Sequence, residues 1–146
     1  MSTVTYDFDV IAWAREQAAL LRSGQFNFLD IEHIADEIED VGKSEQREFE
    51  NRMALLLAHL LKWQYQPGYR GTSWERTIKE QRNRIAIRIR KTPSLKADLQ
   101  DPEWWDGVWA DAARIAENET GILNQFPVSF PWDFEQVMDA DFWPND

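Results

Sequence analysis

A chain of 146 residues, 43% of them apolar, is long enough to bury a core of its own and reads as a single domain spanning residues 1–146. It contains no cysteine, which excludes disulfides, thiol catalysis and zinc–thiolate sites and fits a reducing cytoplasm. The formal net charge of −10 is unevenly spread: residues 70–91 carry eight basic and two acidic side chains, so a +6 segment lies in a chain that otherwise sums to −16.

The residues from Met1 to Asp7 show neither the basic nor the apolar region of a signal peptide. The first helix is predicted from Asp9 to Arg22, capped by Asp7 or Asp9, with Val10, Trp13, Ala14, Gln17, Leu20 and Leu21 as one buried stripe. Ser23-Gly24 ends it, and Phe26 and Phe28 in the connector read as core plugs. A second helix is predicted from Asp30 to Val41, with Ile31, Ile34, Ala35, Ile38 and Val41 on its apolar side and Glu32, Asp36, Glu39 and Asp40 outside it. Gly42 is expected to stop or bend it, and Ser44 to cap a third helix from about Glu45 to Tyr65.

This third helix is the most apolar stretch of the chain. Phe49, Met53, Leu56, Leu57 and Leu60 define its central face, and Leu55, Leu61 and Trp63 widen it until the helix must be buried on most sides. Its nine-residue run from Met53 to Leu61, interrupted by His59, falls far short of the roughly 18 residues that span a bilayer, so no membrane association is expected. Pro67-Gly68 makes the turn. A basic helix then runs from Ser73 or Trp74 to Lys91, with Thr72-Ser73-Trp74-Glu75 as a capping box and Trp74, Ile78, Gln81, Ile85 and Ile89 facing inward. Thr92-Pro93 ends it. Asp101-Pro102 starts another helix that runs to Asn118 or Thr120, with Trp105, Val108, Trp109, Ala112, Ile115 and Ala116 inward and Gly121 closing it. An aromatic tail follows, and Asp133-Phe134-Glu135-Gln136 opens a last short helix.

The fold class is therefore all-α: a helical bundle of four main helices plus short C-terminal helical segments, with a central antiparallel hairpin. The turn after Tyr65 is short enough to make the helices on either side of it neighbours. Eight tryptophans serve this core, and Trp132 and Trp143 are alternatively an oligomer seam.

Chemistry has few places to reside. Gly-x-Ser-x-Gly, P-loop and Gly-x-Gly-x-x-Gly patterns are absent. His33 with Glu37 and Asp30 invites a metal reading, and pairing of the second and third helices would add His59. The second Glu-x-x-His half of a dimetal bundle is missing, however, because Leu56 stands three before His59. No metal and no cofactor are expected. The candidate site is instead a polar cluster oddly placed on apolar faces: His59, Trp63, Gln66, Arg70, Ser73, Trp74, Gln81 and Arg82.

The run from His59 to Pro67, with Arg70, Ser73-Trp74, Ile78, Gln81-Arg82 and Pro93-Ser94-Leu95, resembles the bacterial family called domain of unknown function, family 29. Tyr6-Asp7, Trp13, Asp30, Glu37-Ile38, Glu119-Thr120-Gly121, Phe126-Pro127 and Pro131-Trp132 fit the same pattern. Where that pattern has a small thiol residue before the second tail proline, this chain has Phe130, which argues against an essential thiol there. The resemblance implies an all-helical single-domain bacterial protein and no assigned activity.

The leading expectation is a non-enzymatic interaction or regulatory protein, a homo-oligomer with a dimer favoured and a protein partner as a further option. The alternative is a small anionic-ligand binder or enzyme in which His59 acts as acid or base and Arg70 and Arg82 hold the anion. Nucleic-acid binding through the basic helix 74–91 ranks last. The surrounding acidity opposes it, and the aromatic interleaving of single-strand binders is missing.

Overall fold

The computed structural model describes residues 5–145 and contains only helices and loops among them. Four long helices are α1 (Val10–Arg22), α2 (Ile31–Tyr65), α3 (Thr72–Lys91) and α5 (Pro102–Thr120); α4 (Lys96–Leu99) and α6 (Phe134–Met138) are short. Three short 3-10 turns, Phe26–Phe28, Pro67–Tyr69 and Pro93–Leu95, punctuate the connections. None of these helices is long and apolar enough to cross a membrane.

The main departure from expectation is α2. The predicted second and third helices are one continuous helix of 35 residues. Gly42 does not stop it: a helical glycine costs only about 1 kcal/mol against alanine, and the strong helix formers on both sides outweigh that. Ser44 is accordingly mid-helix and not a cap. The chain forms two compact units whose boundary in sequence falls inside α2, between Glu45 and Gln46.

The second unit holds the hydrophobic core. Phe49, Met53, Leu56, Leu57, Leu60 and Leu61 of α2 are fully buried with Ile78 and Ile85 of α3, as the periodicity requires. Trp104, Val108, Trp109, Ala112 and Ala116 of α5 and Val137 of α6 complete it. Trp104, rather than the expected Trp105, is the deeper of the adjacent pair, since its ring stacks on Phe49 at 5.5 Å between centroids. The second part of α2 pairs antiparallel with α3, as predicted. Glu48 meets Arg88 and Arg52 meets Gln81 near one end, and Lys62 meets Trp74 near the other.

The start of α3 also departs from expectation. Gly71 is its N-cap residue and no side chain caps it, so the Thr72–Glu75 capping box does not form. Trp132 and Trp143 are half-buried against the core: Trp132 packs on Trp109 and Phe142, and Trp143 on Trp63.

The first unit is built differently. Among its described residues only Trp13 and Gln17 are buried. Phe26 and Phe28, expected as core plugs, are 61% and 50% exposed, and much of the predicted stripes of α1 and the start of α2 is also open to solvent. Asp9 caps α1 by accepting from the Ala12 amide, and Asp30 accepts from the His33 amide at the start of α2.

Candidate functional site

Most of the polar residues singled out in α2 and α3 already have internal partners, and these partners divide them into three groups. Arg82, on the buried face of α3, is the centre of the first. Its Nε donates to the Val137 carbonyl at 2.8 Å and its Nη2 to the Phe142 carbonyl at 2.6 Å. The guanidinium lies 5.3 Å from the Trp143 ring, Trp143 packs on Trp63 at 4.7 Å, and Arg70 covers Trp63 at 5.3 Å. Arg70 also donates from Nε to the Trp63 carbonyl and from Nη1 to Asn145. The result is a cation–indole–indole–cation stack that fixes the C-terminal tail to α2 and α3. Desolvation pushes the Arg82 pKa down, with Asp139 opposing weakly, and its Nη1 is buried without a hydrogen-bond partner.

His59 belongs to a second group. Its Nδ1–H donates to the Leu55 carbonyl at 3.0 Å, which fixes the tautomer. Burial pushes its pKa below the ordinary 6.5, and the Lys62 ammonium adds to this against the opposing Leu55 carbonyl and Glu119 carboxylate. Lys62 is itself buried. It pairs with Glu119 of α5 at 2.6 Å and lies 5.2 Å from the Trp74 ring. The third group is Gln81, whose Oε1 accepts from Arg52 while Arg52 also pairs with Glu48.

The partners of His59 and of Arg82 are thus disjoint, and Gln66 and Ser73 join neither set. Gln66 contributes only backbone bonds to the turn, and Ser73 is exposed with its carbonyl accepting from Thr77. Several grooves among the described residues run elsewhere, one beside Ile89, Leu99 and Phe134 and another beside Trp105, Phe130 and Trp132. Phe130 stacks flat on Trp105 at 4.6 Å. The basic helix is partly neutralised from within, through Arg84 with Glu80 and Arg88 with Glu48. No sequence pattern marks Lys62, its partner Glu119 or the tail carbonyls as members of these groups.

In the first unit, His33 and Glu37 also bond to protein groups. His33 Nδ1–H donates to Asp30 at 2.7 Å, and the same carboxylate oxygen accepts from Trp13 Nε1 at 2.9 Å. Tyr6 stacks flat on His33 at 4.3 Å and donates its hydroxyl to Glu37. That bond, with some burial and the nearby acidic charge, pushes the Tyr6 pKa up to about 12. Asp30 holds the His33 pKa above 6.5, and His33 in turn holds that of Asp30 below its ordinary value. The helix pairing that would have added His59 does not exist, because both predicted helices are parts of one α2. Among the described residues no three His, Asp or Glu side chains group so as to hold a metal ion.

The fold and these bonds define an all-α protein whose C-terminal tail is anchored on a buried arginine. The chain belongs to the family described as Domain of unknown function DUF29, which it matches over residues 5–143. No curated protein and no solved structure matches it.

Proposed function

We propose that this chain is a non-enzymatic interaction protein in which His59, Gln81 and Arg82 hold the fold rather than carry out a reaction. The observation that supports this is the bonding of Arg82. Two of its donors and one face of its guanidinium are taken up by the protein's own tail. A group that works on a substrate must turn its donor or lone pair toward a space the substrate can enter. Here the same atoms serve backbone carbonyls, the acceptors a structural arginine needs. For His59 the support is burial alone: the ring is 9% exposed within the apolar face of α2.

Thermal unfolding of single variants tests this. Arg82→Ala removes two charge-assisted hydrogen bonds and the Trp143 contact and is expected to cost about 2–4 kcal/mol. His59→Ala leaves the Leu55 carbonyl unmatched by this bond and is expected to cost about 1–3 kcal/mol. Wild-type melting temperatures in both variants would overturn the reading. A second reading, an anion binder, is supported by the unpartnered Arg82 Nη1. It requires added inorganic phosphate to raise the melting temperature of the wild type and not of Arg82→Ala.

A further inference from the structure

The first unit carries an apolar surface that none of its described residues buries. Twelve large apolar side chains are exposed among the described residues, and nine of them lie between Phe8 and Val41. They follow helical spacing. In α1, Val10, Ile11 and Leu21 fall on one side, beside the face that buries Trp13 and Gln17. In α2, Ile31, Ile38 and Val41 form a stripe with steps of seven and three, and they are 67–68% exposed. The helices meet instead through a polar seam of Tyr6, Trp13, Asp30, His33 and Glu37. Each helix therefore has an amphipathic face left uncovered.

Resting on the interaction reading above, we infer that this face is the interface of a symmetric homodimer: the partner is a second copy of the same chain. Area is the first argument. The six side chains of the two stripes present at most on the order of 700 Å² per copy, and Phe8, Phe26 and Phe28 are exposed in the segments that flank them. That exceeds the few hundred Å² usual on a monomer and approaches the roughly 800 Å² per partner of a stable interface. Shape is the second. Two helices from each copy, facing through the same stripes, bury them as in a four-helix arrangement, and a two-fold axis lets one surface serve both copies. Charge does not favour pairing but sets its salt dependence. Residues up to Glu45 carry ten acidic and three basic side chains. On α2 the exposed acids Glu32, Asp36, Glu39 and Asp40 project away from the Ile31–Ile38–Val41 stripe. Pairing the stripes leaves these acids in water. The repulsion between two copies is then long-ranged and screened by salt, so added salt tightens the dimer. A basic foreign partner would show the opposite salt dependence.

The test is sedimentation of the full chain over a concentration series at low and high salt. The expected result is a monomer–dimer equilibrium that tightens with salt. In the double variant Ile38→Glu/Val41→Glu it is expected to weaken at least about 30-fold. Both positions are exposed in the monomer, and an unchanged circular dichroism spectrum would show that the variant still folds. A monomer at all concentrations overturns the inference, as does a dimer indifferent to the double variant. A dimer through another surface would leave the interaction reading standing, whereas unchanged melting of Arg82→Ala and His59→Ala would remove that reading and leave this result intact.

Discussion

His33 and His59 sit in environments that push their basicity in opposite directions, and the two halves of the chain should answer acid in opposite ways. The His33 pKa is raised, chiefly by its hydrogen bond to Asp30. Its stabilisation is fully present below 6.5 and is lost as pH rises through the folded value. Asp30, with a lowered pKa, keeps its share until pH falls through its own folded value. His59 is the reverse case: desolvation lowers its pKa, so it folds best neutral and loses stability as pH falls below 6.5. Between about pH 7.5 and about pH 5, the stability advantage of wild type over His33→Asn should grow and that over His59→Asn should shrink. Denaturant titrations of the three proteins at both pH values check this; parallel changes in the two comparisons would contradict it. His59, Gln81 and Arg82 were legible in the sequence as polar groups interrupting apolar stripes, because helical periodicity alone makes them conspicuous. Their partners were not legible. Arg82 is bonded to the main-chain carbonyls of Val137 and Phe142, and every residue has a carbonyl, so no side-chain pattern announces which one is used.

At the scale of elements, local signals worked where the chemistry is local. Gly121 ends α5 at φ 77°, in the left-handed region where glycine closes a helix without strain. Asp101 caps the start of α5 ahead of Pro102, and Asp133 caps α6 by accepting from the Gln136 amide. The same kind of reasoning failed at Gly42, where a local signal was set against the cooperativity of a helix already propagating on both sides. That failure supplies a test. A Cβ added at Gly42 meets nothing within 4 Å, and the residue is helical and exposed. Gly42→Ala should therefore stabilise the protein by about 0.5–1 kcal/mol. An upward shift in denaturant midpoint at unchanged slope is the expected readout. Destabilisation would mean that α2 does not run unbroken through position 42.

For the whole molecule, the distribution of buried side chains sets the order in which the chain opens. In the second unit the apolar contacts of α2, α3 and α5 are mutually burying, and Phe49, Leu57 and Ile85 are fully sealed. Among its described residues the first unit buries only Trp13 and Gln17 and relies on hydrogen bonds among Trp13, Asp30 and His33 that are partly open to water. Local opening free energy follows buried apolar contact, so amides of α1 and of residues 31–41 should exchange with solvent faster than those of residues 49–61. Without self-association the gap between the two sets is a property of the single chain and does not depend on concentration. If a second copy covers the stripes of α1 and α2, raising the protein concentration slows exchange in α1 and residues 31–41 and leaves residues 49–61 unchanged. Hydrogen exchange at two concentrations thus reads stability and association in one experiment. Equal protection in both units at both concentrations would contradict the burial pattern, and protection that rises only in the second unit would put the contact between copies on a different face.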